Sequence, residues 1–456
     1  MLGKFSISSI AFMKKVLILG AGMVAKPMVE YLLKNGINIL IASPMKKRAD
    51  LMIGGNPLGK SIDWSMDEPD LLDKLVAEHD ITVSLLPYSY HTSVAKVCLK
   101  YGKHLVTTSY VQKDMMSLDE AAREKGLLFL NETGLDPGID HMSAMRIIDH
   151  IHGKGGRVDE FYSLCGALPA PEAANNPLGY KFSWSPKGVI LASRNGAFYL
   201  KKGKNIIVEP SGLFRDRFTY EYPGIGNLEA YPNRDSTSYI EIYRIPETRT
   251  MYRGTFRFPG WCETLDAMKS LNMLDDTFIN YEGMTFSAFL AERGKVELND
   301  IRKNIAAKLG VKENSAVIKS FDFLGFFSNE PLHYIETSPF EITSDRMISR
   351  MMLADNERDM VVLQHIFMAL YPDGTREVIK SSMLDFGSAS TNTSISRTVA
   401  LPAAIAVKLI LEDKISLRGV LRPVYPEIYN PIIEELKTLG IEMKEEYGLP
   451  VSEMIK

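Results

Sequence analysis

The chain has 456 residues, 45% of them hydrophobic and 24% charged, with a net charge of −3. That is too long for one ordinary domain and predicts two or three, each able to bury a core without disulfides or metals. The balanced charge offers no basic field for nucleic acid or an anionic membrane, so neither is an expected partner.

Three scattered cysteines, Cys98, Cys165 and Cys262, with no CxxC spacing, fit a reducing cytoplasm. No apolar run reaches the ~18–20 residues of a membrane span. Met1 to Phe12 reads as a short, mildly apolar leader outside the fold, with Met13 an alternative start.

From there strands and helices alternate. Val16 to Leu19, Ile37 to Ala42, Ile81 to Leu86, His104 to Thr107 and Leu127 to Asn131 are short apolar strands. Val24 to Lys34, Leu71 to Glu78, His91 to Tyr101 and Leu118 to Lys125 have helical spacing. Such alternation predicts a parallel sheet with right-handed crossovers, an α/β fold of Rossmann type over residues 13–141. A helix from Met142 to His152 follows. From Val158 the strands lengthen and the loops gain Pro, Asn and Gly, which predicts a mixed α/β domain over 142–259 and 328–393. Helical spacing at Glu263–Leu271, Phe286–Glu292, Asn299–Leu309 and Ala316–Leu324 makes 260–327 a helical insertion. Strands at 360–370 and 376–386 return to the sheet, and helices at Thr398–Leu411 and Ile432–Leu439 lie in the C-terminal segment 394–456.

The first strand runs into Gly20-Ala21-Gly22-Met23-Val24-Ala25, a G-x-G-x-x-A turn that opens a helix. Gly20 permits the tight turn, Gly22 lets backbone approach a pyrophosphate, and Ala25 lets the helix pack close to the strand. The helix N-terminus adds unpaired N–H groups and partial positive charge. The second strand ends at Ser43, followed by Lys46, Lys47 and Arg48, where an NAD-specific site carries an acid. Serine and cations favour a 2′-phosphate, so the expected cofactor is NADP; the alternative is that the cations only solvate the next helix.

Ligands in open parallel sheets sit beyond the carboxyl ends of the strands. The segments there are Leu85-Leu86-Pro87-Tyr88-Ser89-Tyr90-His91, Thr107-Thr108-Ser109-Tyr110, and Asn131 to His141, which contains Gly134-Leu135-Asp136-Pro137-Gly138. With GAGMVAKP, VSLLPYSYH, HLVTTSYV, NETGLDPGIDH, CGALPAPEAANNPLGYKFSWSPKGV, YPNRDST and RTVALPAAIA, the chain resembles the saccharopine dehydrogenase family, in its NADP-dependent, glutamate-forming branch (saccharopine reductases), from Gly20 to about Ala406.

The resemblance implies a Rossmann domain completed by the C-terminal helices, a mixed α/β domain that forms a homodimer and binds substrate, and a helical insertion over the cleft. It implies joining of 2-aminoadipate 6-semialdehyde with glutamate and reduction of the imine with NADPH, giving saccharopine, in reversible lysine metabolism. Asp136 then contacts the substrate amine, Ser109 and Tyr110 bind substrate, and Cys165 and Gly166 line the cleft. Arg234 suits a carboxylate clamp, because guanidinium grips carboxylate bidentately. Asp136, Tyr110 and His141 are the candidates for catalysis; His91, also at a strand end, is a second candidate acid.

Cofactor contacts are expected from Gly20, Ala21, Gly22, Met23, Val24, Ser43 and Lys46, from Leu85, Leu86 and Ser109, and from Gly134, Leu135, Asp136, Pro137 and Gly138. Trp184 and Ser185 are expected to complete them, from a loop of Tyr180, Lys181, Ser183, Trp184 and Ser185 that closes over nicotinamide and substrate. Blander readings stay open: an Asx turn for Asp136, loop hydrogen bonds for Ser109 and Tyr110, an ion pair with Asp235 for Arg234, core packing for Trp184, structural hydrogen bonds for His141. No ligand spacing suggests a metal.

Two other functions share these features. A carboxynorspermidine dehydrogenase/synthase joins a diamine to an aldehyde, but its site needs more acids and fewer arginines. A non-catalytic NADP-binding sensor would not need the hydroxyl, acid and arginine loops. The serine and cations after the second strand predict a KM for NADP well below that for NAD; steady-state kinetics showing a clear NAD preference would remove the assignment.

Overall fold

The structure, a computed structural model, describes residues 14–389 and 392–455. The leader Met1–Phe12 and the alternative start Met13 lie outside the described residues. The chain divides into two compact units. One runs up to Met142 and takes in Ser396–Leu436; the other is Ser143–Ile395 with the segment from Lys437.

In the first unit, uninterrupted apolar runs become strands, since a parallel sheet between helices is covered on both faces. These are β1 (Lys15–Leu19), β2 (Asn38–Ala42), β3 (Gly59–Ile62), β4 (Ile81–Ser84), β5 (His104–Thr107) and β6 (Leu128–Leu130). A seventh, Gly419–Leu421, comes from the C-terminal segment. The sheet order is Gly419–Leu421, β6, β5, β4, β1, β2, β3, and every pairing is parallel. The order therefore reverses at β1, the doubly wound arrangement expected from the sequence.

Two of these strands carry too little signal to read beforehand. The β3 segment Gly-Lys-Ser-Ile is a polar edge strand, and Gly419–Leu421 has only three residues. Helices α1 (Lys26–Lys34) and α2 (Lys46–Ile53) follow β1 and β2. The helix Ser394–Leu411, with a mean hydropathy of 1.6, meets the length and composition of a membrane span, contrary to expectation, yet 78% of it is buried. It is a core helix by that measure: Ala403, Ala404, Ile405, Ala406 and Val407 are all fully enclosed.

The second unit holds a mixed sheet. Its main path runs Phe218–Tyr222, Gly226–Pro232, Thr250–Arg257, Arg157–Pro169, Asp359–Leu370, Arg376–Phe386, Lys444–Leu449. The pairing of Thr250–Arg257 with Arg157–Pro169 is parallel, and the other pairings along the path are antiparallel. The strand Lys444–Leu449 corrects one expectation. The resemblance places the C-terminal segment 394–456 with the first unit, but the part after Leu436 belongs to the second, where Lys444–Leu449 pairs with Arg376–Phe386. Its alternating exposed residues gave no strand signal.

Residues 260–327 are helical, at Trp261–Ser270, Phe286–Gly294, Ile301–Leu309 and Ala316–Phe323. Side-chain caps start two of them: Thr285 accepts from Ala288 N–H at 3.2 Å and Ser315 from Ile318 N–H at 3.4 Å. Their apolar faces are not a separate body. Leu265, Met268, Phe289, Ile305 and Phe321 share one core with Leu164, Tyr252 and Phe256 of the sheet.

The two central strands, Arg157–Pro169 and Asp359–Leu370, are buried along nearly their whole length. Phe161 pairs with Phe367 in register, their rings stacked 4.1 Å apart at 7°. Replacing Phe161 by Ala removes that contact from a site with no exposure. We expect a loss of ~3–5 kcal/mol in urea denaturation; a loss under ~1 kcal/mol would mean the strand pair is not the stability centre of this unit.

Candidate active site

The reversal of strand order leaves a crevice beyond the carboxyl ends of β1 and β4. Gly20 opens it with φ +104° and donates to the Ala42 carbonyl at 2.9 Å. A Cβ on Gly20 would lie 3.2 Å from the Leu85 carbonyl oxygen, so the turn and the end of β4 touch backbone to backbone. Gly22 is different: a Cβ there would meet nothing within 4 Å. The protein itself does not need a bare backbone at Gly22, whereas an approaching pyrophosphate does. Ala21 is buried, Val24 half-buried and Met23 exposed, and α1 begins with no acid in its first turn and no side-chain cap. Its N-terminal N–H groups are thereby left for an anion. Leu85 and Leu86 stand half-buried at the facing strand end.

At the end of β2, Ser43 is buried, and its Oγ accepts from Met45 N–H at 3.1 Å. Lys46, Lys47 and Arg48 are exposed and form the first turn of α2, which contains no acid. Cations there oppose the helix dipole, costing ~0.3–1 kcal/mol each. Lys46 is partly offset by Asp50 at 2.8 Å, one turn along. A helix loaded against its own dipole is explained by an anion seated at its start. That favours the 2′-phosphate reading over simple solvation of the helix.

The loops after β5 and β6 are registered by backbone hydrogen bonds that continue the ladder past the strands: Thr133 N–H to Thr107 O at 3.1 Å and Glu132 N–H to Ser109 O at 3.2 Å. Gly134 to Gly138 then folds on itself, with Gly134 N–H on Pro137 O and Ile139 N–H on Gly134 O, both 2.9 Å. A Cβ on Gly138, at φ +151°, would sit 2.0 Å from the Gly134 oxygen. Leu135 and Pro137 are buried in this knot, while Asp136 stays half-buried. Its Oδ1 accepts from the Tyr110 hydroxyl at 2.8 Å. Asp136 therefore reaches another loop rather than only closing its own turn.

The two histidines behave unlike candidate acids. His91 bridges two hydroxyls, with Nδ1 2.9 Å from Ser84 Oγ and Nε2 2.8 Å from Ser109 Oγ. Burial pushes its imidazole down to about 4, so it is neutral near pH 7 and orients Ser109 instead of donating as an acid. His141 is fully buried, with Nε2 2.7 Å from Glu132 Oε2. That nitrogen is held by a buried carboxylate, which favours the structural hydrogen-bond reading of His141 over a proton shuttle. Glu132, which sequence reasoning passed over, is the centre of this cluster; its one signal was an acid at the end of an apolar strand.

In the second unit, Cys165 and Gly166 lie on Arg157–Pro169, and Cys165 pairs with Thr255. A Cβ on Gly166 would be 2.8 Å from Phe256 Cβ, so packing alone already demands this glycine. Arg234 is exposed on a two-residue strand, at φ +49°. Asp235, its sequence neighbour, accepts at Oδ1 from Thr237 N–H and Oγ1, both at 2.8 Å, and so caps its own turn.

The loop of Tyr180, Lys181, Ser183, Trp184 and Ser185 is anchored by its first residues. Tyr180 and Phe182 belong to the core, and Lys181 is ion-paired with Glu357. Trp184 is half-buried against that core and Ser185 is exposed.

Sequence reasoning also missed Arg257, a cation in the otherwise apolar stretch Thr255-Phe256-Arg257-Phe258. Its guanidinium lies 4.9 Å from the Tyr180 ring and 5.5 Å from that of Trp261. Arg257 Nε, Trp261 Nε1 and Trp184 Nε1 are buried donors with no hydrogen-bond partner among the described residues. Buried donors of this kind call for an acceptor, and a carboxylate suits a guanidinium best.

Comparison with known proteins accounts for both units. Residues 16–130 match the family profile described as Saccharopine dehydrogenase NADP binding domain, and residues 134–441 match Saccharopine dehydrogenase C-terminal domain. The chain is 38% identical to the saccharopine dehydrogenase [NADP(+), L-glutamate-forming] of Schizosaccharomyces pombe over 95% of its own length and 99% of the relative's. It is likewise 38% identical to the enzyme of that name from Saccharomyces cerevisiae, again over 95% and 99%. The solved apo structure of the Saccharomyces cerevisiae saccharopine dehydrogenase (L-Glu forming) superposes with a TM-score of 0.88 at 36% identity, covering 95% of this chain and 99% of that one. The open cradle at Gly22 and the cations opening α2 fit the NADP that the first profile names. With a nucleotide-binding unit and a C-terminal unit both matched, the chain belongs to the saccharopine dehydrogenase family.

Proposed function

We propose that the chain is an NADP-dependent, glutamate-forming saccharopine dehydrogenase, interconverting saccharopine and water with glutamate and 2-aminoadipate 6-semialdehyde. Similarity along the whole length to enzymes of that name supports this reading. Within the fold it is carried by the Tyr110–Asp136 hydrogen bond at the carboxyl edge of the nucleotide-binding sheet. NADP held at the Gly20–Gly22 turn would supply the hydride chemistry, at the carbon bonded to the saccharopine nitrogen.

The chain's own residues manage charge and protons. Asp136 places a carboxylate beside the substrate nitrogen and stabilises its cationic iminium form. Tyr110 shares a proton with Asp136 and supplies or removes it as water adds and the carbinolamine collapses. Ser109, oriented by neutral His91, offers a fixed hydroxyl next to them.

Saccharopine carries three carboxylates, and two arginines suit them differently. Arg234 is exposed and meets a carboxylate in water, while Arg257 is enclosed by rings and binds one more strongly for being desolvated. Cys165 is not needed as a nucleophile, because no covalent intermediate enters this chemistry. We further propose a cytoplasmic homodimer acting on small molecules; three buried free thiols fit a reducing compartment.

Following NADPH absorbance with the semialdehyde and either glutamate or a diamine tests the activity. Turnover with glutamate is expected, and turnover only with a diamine would make the chain a polyamine enzyme. Tyr110→Phe should lower kcat by ~10²-fold, the scale of general acid–base help, with NADPH affinity unchanged. Arg257→Met should raise the KM for saccharopine about tenfold or more, as a charged hydrogen bond of ~1.5–3 kcal/mol is lost. An unchanged KM would take Arg257 out of the site, and the same measurement on Arg234→Ala judges the exposed clamp.

A further inference from the structure

Glu132 is an unusual residue to find at the end of β6. It is 2% exposed, and its backbone is left-handed, at φ +55°, a conformation that bulky non-glycine residues seldom adopt. Its carboxylate collects three donors from three separate segments. Oε1 accepts from Val111 N–H at 2.9 Å and Arg422 Nε at 2.8 Å, and Oε2 accepts from His141 Nε2 at 2.7 Å. Burial alone would raise its pKa. The His141 hydrogen bond and charge, Arg422 and the Val111 amide more than reverse that and hold it at about 2. At any working pH the group is an acceptor only.

The Val111 amide is the informative partner. It belongs to the turn that carries Ser109 and Tyr110, which the backbone of Glu132 also touches through the Ser109 carbonyl. The turn is therefore gripped twice by one residue, once through main chain and once through side chain. Four residues further on from Glu132 is Asp136, the acceptor of the Tyr110 hydroxyl. The same residue thus borders both halves of the hydrogen bond on which the proposed reaction depends. Nothing else in the sheet requires an acid here, since a backbone ladder needs none.

We propose that Glu132 is a positioning residue whose buried carboxylate, by reaching the Val111 amide from the neighbouring strand end, fixes the Ser109–Tyr110–Val111 turn and so aims the Tyr110 hydroxyl at Asp136. This rests on the functional reading above for the part Tyr110 and Asp136 play. Reach, not charge, is what the role requires, and the two can be separated by substitution. Glu132→Asp keeps the charge but withdraws the oxygens by about 1.5 Å. Glu132→Gln keeps the length and one acceptor oxygen while losing the charge.

The test measures kcat, KM, NADPH affinity by fluorescence and thermal stability for Glu132→Asp and Glu132→Gln, each alone and combined with Tyr110→Phe. Glu132→Asp should lower kcat roughly 10- to 100-fold, the scale of a misplaced catalytic group, and Glu132→Gln should lower it less, with NADPH affinity unchanged in both. In the Tyr110→Phe background neither should lower kcat further, because the group they aim is gone. The opposite order, or equal losses in both backgrounds, would overturn the proposal in favour of a purely structural charge. Should the Glu132 variants fail to fold, Arg422→Met serves in their place. It leaves the Val111 bond intact and should change kcat by less than about threefold; a loss as large as that predicted for Glu132→Asp would equally overturn the proposal. Unaltered chain is assayed first with saccharopine and with a diamine-derived substrate. Its choice decides the functional reading, and the variants are then compared on whichever substrate it accepts.

Discussion

Parallel strands all end on one side, and in the first unit nearly everything offered to a dinucleotide is built along that edge. The edge is useful only because its loops approach each other closely. Gly20 meets the Leu85 carbonyl without room for a side chain, and Gly138 meets Gly134 closer than any Cβ would permit. These contacts exclude a side chain at either glycine. The turn at Gly20–Gly22 and the turn that carries Asp136 are thereby set by backbone packing before any side chain contributes.

Electrostatics then divides the work between exposed and buried charge. The cations opening α2 are exposed and oppose their own helix, a cost that a bound phosphate reverses. Arg257 is buried and meets the Phe256 carbonyl through Nη1 but leaves Nε unpartnered among the described residues, where a matching carboxylate is more effective than in water. Glu132 shows the third arrangement, a buried charge whose partners are all supplied by the chain itself. Of the three, Glu132 has partners on both carboxylate oxygens, whereas Arg257 keeps a buried Nε without one among the described residues.

Much of this was legible in the sequence, for reasons that are physical. Apolar runs such as Val16–Leu19 have one stable use in a sheet covered on both faces, and the glycine turn after them has a steric reason at Gly20. Where the reading failed, the pattern was weak or the information was not local. The polar edge strand Gly59–Ile62 and the exposed strand Lys444–Leu449 lack the apolar alternation that marks a half-buried strand. Tyr180 and Phe182 sit in a segment rich in Pro, Gly and Ser, which reads as a loop; only tertiary packing reveals them as core. Arg257 is a single charge between two phenylalanines, Glu132 follows an apolar strand, and nothing in sequence distance predicts that three donors from far apart meet one carboxylate.

The histidines carry the last step. A reaction that forms and breaks a carbon–nitrogen bond needs protons moved, and imidazole is the usual candidate near pH 7. Here both strand-end imidazoles are committed elsewhere. His91 is kept neutral by burial between two serine hydroxyls, and His141 is sealed against Glu132. Each is hydrogen-bonded to another side chain, His91 to Ser84 and Ser109 and His141 to Glu132. Under the proposed reading, proton handling then falls to Tyr110 and Asp136, a hydroxyl and a carboxylate 2.8 Å apart. Such a pair passes a proton only while the distance is kept. Keeping it is the task of the residues beneath, and that is why buried groups with no access to substrate, Glu132 above all, belong to the chemistry as much as the groups they hold.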